Sequence, residues 1–190
     1  MGFERRGDSR VRLFFALWPD VDARAQIAKA AAALRLAGDA QPVPRENYHV
    51  TLAFVGEVTS SQLAVLQQIG RAQWAAGCTI RFDAYDYWPD HQVAVAIARE
   101  APSALINLWT QLQSELTLNQ EALNFKRPHS PLRAHITLAR KVAQAPALQA
   151  MSPFNWNARS FSLIRSDTSG ARSVYTVVDT WPLLYEPPRS

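Results

Sequence analysis

The sequence predicts an α+β fold with antiparallel sheets, built as two similar lobes that face one another. Strands and helices alternate in the first part of the chain, whereas pairs of strands dominate later, which disfavours a purely parallel doubly wound sheet. A strand motif, His-x-Thr-Leu, occurs twice, at His49 to Leu52 and at His135 to Leu138, with a separation of 86 positions in a chain of 190. No shorter period recurs, so a solenoid is not indicated.

Met1 to Arg10 mixes charges of both signs and has no apolar run behind a basic start. It is expected to be a flexible leader and not a signal peptide. The Met-Gly start does not make a myristoylation site, because Arg6 stands where Ser or Thr is needed. Residues 11 to 190 are expected to form one bilobal domain, since 48% of the side chains are apolar and a sizeable core is within reach.

Val11 to Trp18 reads as a buried strand, far short of the roughly 20 apolar residues that cross a bilayer. A helix follows in which Ile27, Ala31 and Leu34 share a face, with Gly38 as its stop. Tyr48 to Gly56 has strand character, and Thr59 can cap a helix carrying Leu63, Leu66 and Ile69. Cys78 to Tyr87 and Gln92 to Ala98 read as two strands joined in a hairpin at Trp88-Pro89-Asp90-His91. Pro102 and Ser103 open a helix with Leu105, Trp109, Leu112 and Leu116 on its sheet-facing stripe. After a basic, proline-containing stretch from Asn124 to Arg133, Ala134 to Lys141 returns to strand. Ser160 to Arg165 and Val174 to Trp181 are expected to close the fold as a pair around a Ser-Asp-Thr-Ser-Gly turn.

The net charge of +4 comes from scattered Lys and Arg. It permits an anionic partner without requiring one. The single cysteine, Cys78, excludes a disulfide framework and a multi-cysteine metal site, and it suits a cytoplasmic location.

The two motifs carry the chemistry. Alternation along a strand puts His49 and Thr51 on one face and Val50 and Leu52 on the other, and it treats His135 and Thr137 in the same way. Each strand then anchors an apolar pair in a core and presents an imidazole beside a hydroxyl. If the two surfaces face one another, a cleft results. Near neutral pH such a pair can hold one ring as base and one as acid, which in-line cleavage of a phosphodiester requires, while the hydroxyls bind the non-bridging oxygens. A single His-x-Thr-Leu is most simply a piece of half-buried strand. Two copies among four histidines are, by composition, a coincidence of roughly one in ten thousand.

Around these motifs the sequence resembles the 2H phosphoesterase superfamily, specifically the bacterial and archaeal RNA 2',3'-cyclic phosphodiesterases also called 2'-5' RNA ligases. Arg12 to Pro19, Pro44 to Gly56 and Leu132 to Lys141 are similar to stretches of that family in the same order, so the resemblance covers nearly the whole chain. It implies two pseudo-symmetric lobes, each a mainly antiparallel sheet flanked by helices, with a central cleft. It also implies hydrolysis of a terminal 2',3'-cyclic phosphate on RNA to a 2'-phosphate, without ATP. The histidine chemistry itself requires no metal or other cofactor, and a monomer is expected. In that family the first histidine is the proton donor and the second the acceptor, here His49 and His135. Ala134 departs from a proline common in the family before the second histidine, and leaves the reacting groups intact.

The resemblance also suggests that Arg140 contacts the substrate phosphate. Strict alternation would put Arg140 on the face opposite His135, so a bulge or the strand end would be needed. Lys126, Arg127 and Arg133 could follow an RNA backbone, though each is also an ordinary loop residue. Phe54, Tyr48 and Trp88 could stack on a base, although aromatics beside strands are more often core. His91 and His129 have no Thr two positions on, and no closely spaced histidine pair supports a zinc site. The chain lacks a Gly-x-x-x-x-Gly-Lys loop, so any ligation must reverse the hydrolysis. Two alternatives remain: a related enzyme acting on small cyclic nucleotides, and an RNA-binding module whose histidines only contact phosphates.

Overall fold

The computed structural model describes residues 10–146, 150–170 and 173–184. The expected leader, apart from Arg10, lies outside the described residues. The chain threads between two four-stranded sheets. In the first, β1 (Val11–Leu17) lies between β3 (Val50–Val58) and β9 (Ser160–Asp167), with β10 (Val174–Pro182) beyond β9. In the second, β7 (His135–Arg140) lies between β2 (Gln41–Pro42) and β6 (Val93–Ile97), with β5 (Ala84–Trp88) beyond β6. Every neighbouring pair is antiparallel. A further antiparallel pair joins β4 (Cys78–Phe82) to β8 (Phe154–Ala158).

The helices close the outer faces. For α1 (Val21–Ala33), Asp20 is the N-cap and its Oδ1 accepts from the Ala23 amide at 2.8 Å. Tyr85 of β5 donates its hydroxyl to the Ala30 carbonyl of α1 at 2.7 Å, which ties this helix to the second sheet. Thr59 caps α2 (Ser60–Ala72) in a capping box with Gln62, which satisfies two backbone donors at once. Along α3 (Ser103–Leu118) the buried stripe is Leu105, Leu108, Leu112 and Leu116. Trp109, expected on that stripe, sits half-buried at its margin, because Leu108 takes the inward position. A short helix, α4 (Gln120–Leu123), follows.

Alternation in β1 determines where the core and the cleft lie. Leu13, Phe15 and Leu17 enter the main core with α2 and α3, while Phe14 and Ala16 pack on the other face with Ile164, Trp18 and Tyr175. Each fully buried Leu or Phe contributes about 1.5–3 kcal/mol from removal of apolar surface from water. Gly70 of α2 faces the Trp181 ring of β10 so closely that a Cβ there would fall inside the ring. Only glycine lets that helix and sheet meet.

Further expectations need correction. Gly38 does not stop α1, which ends at Ala33 with Leu34 as its C-cap, the Leu34 amide donating to the Ala31 carbonyl. Cys78 to Tyr87 is two strands and not one, divided at Asp83, and its halves pair with β8 and β6 in different sheets. Asp83 turns the chain, its amide donating to the Ile97 carbonyl at 3.1 Å and its carboxylate accepting from the Arg99 amide. The strand Phe154–Ala158 was not expected, although Phe154, Trp156 and Ala158 point inward while Asn155 and Asn157 point out. The hairpin at Trp88 to His91 and the closing pair are as expected, and among the described residues the fold is α+β with antiparallel sheets.

Candidate active site

Strands β3 and β7 carry the two motifs and approach one another between the sheets. Their local structures repeat. From His49 to Phe54 the residues are in turn half-buried, buried, half-buried, buried, buried and exposed, and His135 to Arg140 follow the same sequence. The doubled buried position is a β-bulge in both strands. In β3, Thr51 pairs with Ala16 and Ala53 with Phe15, which leaves Leu52 as the extra residue. In β7, Thr137 pairs with Val95 and Ala139 with Ala94, which leaves Leu138 as the extra residue.

The bulge reverses the alternation after each threonine. Arg140 therefore comes to the same side as His135 and Thr137, which a regular strand would forbid, and Phe54 is its counterpart in the other motif. The carbonyls of both bulged leucines have partners. Leu138 accepts from the Val43 amide at 2.9 Å, and Leu52, on the edge that β3 leaves unpaired among the described residues, accepts from Nε2 of the buried Gln113 at 3.2 Å.

The two rings are held in the same way. His49 Nδ1 lies 2.6 Å from the Asn47 carbonyl and His135 Nδ1 lies 2.7 Å from the Arg133 carbonyl. A carbonyl can only accept, so Nδ1 carries the proton in both rings and Nε2 is the nitrogen left to exchange protons with a ligand. Each imidazole also packs on an indole. His49 stacks on Trp18 with centroids 5.8 Å apart and meets Tyr175 edge-on, and His135 lies 4.4 Å from the Trp88 ring.

This packing lowers both proton affinities. Burial first, and then the charges of Arg140 and His135, push the His49 pKa down from 6.5 to about 4 against the opposing pull of the Asn47 carbonyl. His135 is lowered by burial and by Arg133, Arg140 and His91, against the pull of the Arg133 carbonyl. Without a ligand, neutral rings are favoured.

Two cavities flank the pair. One, about 370 Å³, is lined by His49, Thr137, Arg140, Lys141, Asn47 and Tyr175 among others. The other, about 310 Å³, is lined by His135, Thr51, Phe54, Trp109, Lys126 and Arg133 among others. Each cavity thus combines the histidine of one motif with the threonine of the other. A phosphate held between them would meet an imidazole on either side and hydroxyls from both strands, with Arg140 to balance its charge.

Arg133 belongs to a smaller network that sequence reasoning missed. Asp86 Oδ2 accepts from Trp88 Nε1 at 2.8 Å and from the Arg133 guanidinium at 2.9 Å, and that guanidinium lies 4.9 Å above the Trp88 ring. Trp18, Tyr175 and Asn47 were missed as well, although Trp18 and Asn47 lie in or beside segments that resemble the family. Of the other sequence candidates, Tyr48 is core and Trp88 supports His135, so neither lines a cavity. Lys126 lines the second cavity, while Arg127, His91 and His129 line neither. Among the described residues no three His, Cys, Asp or Glu side chains converge as metal ligands.

The chain has known relatives. The family model described as LigT like Phosphoesterase matches residues 17–95, which include the first motif. A protein from Escherichia coli K12 named RNA 2',3'-cyclic phosphodiesterase is 30% identical over 174 residues, covering 90% of this chain and 96% of its own. The chain belongs to the LigT-like phosphoesterase family. A Thermus thermophilus protein of the same name is 29% identical over 179 residues, covering 91% of this chain and 90% of its own. Among solved structures, E. coli LigT complexed with 3'-AMP superposes with a TM-score of 0.79 at 28% identity, over 92% of this chain and 99% of that one. This LigT-like chain therefore shares the fold of its relatives over nearly its whole length.

Proposed function

We propose that this LigT-like phosphoesterase hydrolyses the 2',3'-cyclic phosphate at an RNA 3' end to a 2'-phosphate, without ATP or a resident metal. The carrying observation is the pair of equivalently held imidazoles, His49 and His135, each with Nδ1 fixed by a carbonyl and each facing the other motif's threonine across a cleft. The relatives named as RNA 2',3'-cyclic phosphodiesterases support the substrate class.

In the proposed reaction Nε2 of neutral His135 takes a proton from water as its oxygen attacks phosphorus. Nε2 of protonated His49 gives its proton to the departing 3' oxygen. Thr51, Thr137 and Arg140 hold the non-bridging oxygens as charge develops on them. His49 is neutral in the empty site, so its donor role requires it to gain a proton when the anionic phosphate arrives. The ligand supplies the cause, by setting a negative charge against the repulsion of Arg140 and His135. With a 5'-hydroxyl in place of water, the same proton transfers join two RNA ends through a 2'-5' linkage.

One bilobal unit from residue 11 onward supplies both motifs, so a monomer suffices. The lone cysteine, whose burial pushes its thiol up to about 11, fits a reducing cytoplasm. The test is the ³¹P NMR spectrum of products from a short RNA with a 2',3'-cyclic phosphate end. A terminal 2'-phosphate is expected. A 3'-phosphate, or no turnover, would overturn the reading.

A further inference from the structure

We infer that Gln113, on α3, is a positioning residue that holds Thr51 at the reacting phosphate by fixing the backbone of the first motif. The inference rests on the proposed reaction and assigns the support that lets Thr51 act in it. Thr51 lies directly before the bulge at Leu52, and the alternation stays reversed only while the peptide at the bulge is held. On one side of β3 lies β1, and on the other there is no strand among the described residues, so no neighbouring strand offers an amide to the Leu52 carbonyl. Gln113 Nε2 takes that place, donating at 3.2 Å from a helix 61 positions along the chain.

The second motif is a control within the same molecule. There the Val43 amide, next to the edge strand β2, donates to the Leu138 carbonyl at 2.9 Å, so a backbone group holds the bulge beside Thr137. Only the bulge beside Thr51 depends on a side chain. Stability does not account for a glutamine at this position. Gln113 is fully buried in a stripe otherwise made of Leu105, Leu108, Leu112 and Leu116, and its buried Oε1 has no hydrogen-bond partner among the described residues. An unsatisfied buried acceptor costs about as much as one amide hydrogen bond contributes, or more, so the glutamine gains the fold little on balance. What the amide supplies is one donor aimed at Leu52.

Gln113→Met keeps the length of the side chain and removes the donor. It exchanges an unsatisfied Oε1 for an unsatisfied Leu52 carbonyl, so Tm should change little. The helix itself is untouched, since the Gln113 backbone carbonyl still accepts from the Thr117 hydroxyl. The Leu52 peptide, no longer held, lets the Thr51 hydroxyl drift from the non-bridging oxygen, where a small misplacement has a large kinetic cost.

The experiment measures hydrolysis of a short RNA ending in a 2',3'-cyclic phosphate by Gln113→Met in three backgrounds: wild type, Thr51→Val and Thr137→Val. In the wild-type background kcat should fall about tenfold with KM within about twofold, because Thr51 acts on charge that develops in the transition state. With Thr51→Val already present, the same substitution should change kcat less than about twofold. With Thr137→Val it should again cost about tenfold. Gln113→Leu, matched to the leucines of the stripe, carries the same comparison if the methionine variant does not fold. Equal losses in all three backgrounds would mark a purely structural role and overturn the inference, as would an unchanged kcat in the wild-type background. Failure of the wild type to hydrolyse the RNA end would instead overturn the proposed function.

Discussion

His49 shares its cavity with Thr137, the threonine of the opposite motif, and not with Thr51, two residues along its own chain. The exchange is mutual, since His135 shares the other cavity with Thr51. Replacing either threonine by Val removes a hydroxyl and keeps the shape. Because a hydrogen bond to a charged group contributes about 1.5–3 kcal/mol, each variant should lose roughly 10- to 100-fold in kcat. Double-mutant cycles on kcat should show stronger coupling for His49 with Thr137 than for His49 with Thr51. Stronger coupling within one strand would contradict the crossed arrangement.

The pH dependence follows from both imidazoles being depressed. In the free protein burial lowers the pKa of His49 to about 4 and that of His135 below its ordinary 6.5, so the singly protonated form that the proposed reaction requires is depleted as pH rises through neutrality. kcat/KM, which reports the free enzyme, should peak below pH 6.5, and kcat, which reports the complex, should peak at higher pH because the bound phosphate raises both pKa values. Calorimetry of 3'-AMP binding in buffers of different ionisation enthalpy should show proton uptake. Proton release, or coincident optima, would contradict this.

Stability has the same origin. As the folded pKa of His49 lies below its unfolded value, the unfolded chain binds that proton first. The contribution to stability is complete above about pH 6.5 and is lost as the pH falls towards 4. His49→Gln should therefore flatten the fall in Tm between those limits.

Arg140 reaches the site only because Leu138 is bulged. Arg140→Gln is expected to raise KM for the cyclic phosphate about tenfold or more, and also to raise the pKa of both histidines, because its charge depresses each. NMR titration of the imidazole resonances checks the second effect. A downward shift would mean that Arg140 does not face the rings.

Asp86 touches neither cavity but holds Trp88 and Arg133, the ring and the carbonyl between which His135 sits. Its carboxyl is kept below the usual range by those hydrogen bonds, although partial burial opposes them. Asp86→Asn, which weakens the pair with Arg133, should lower kcat several-fold with little change in KM, and Asp86→Glu should recover part of it. A change confined to KM would assign Asp86 to binding and not to positioning.

The strand alternation of the two motifs made the imidazoles and hydroxyls legible in the sequence, because it depends only on neighbours along the chain. The need for either a bulge or the strand end at Arg140 was legible as well, since the period of two conflicts with that residue's expected side, and the structure supplies the bulge. What pairs across the fold was not. The crossed histidine and threonine partners, the service of Gln113 to an edge strand, and the hold of Asp86 on Arg133 each join residues far apart in sequence, with no local pattern to announce them. The break at Asp83 was hidden for the same reason, because both halves of the stretch from Cys78 to Tyr87 have strand character and differ in the sheet each joins.

The central claim is that His49 and His135 exchange protons with the reacting oxygens. The direct measurement is single-turnover hydrolysis of a 2',3'-cyclic phosphate RNA by His49→Ala and His135→Ala in excess EDTA, together with the affinity of each variant for the same RNA. The chemical step should fall at least about 100-fold in both while binding stays within a few-fold of wild type, and the wild type should keep its activity in EDTA. Unchanged turnover in either variant, or wild-type activity lost to EDTA and restored by a divalent ion, would contradict the account.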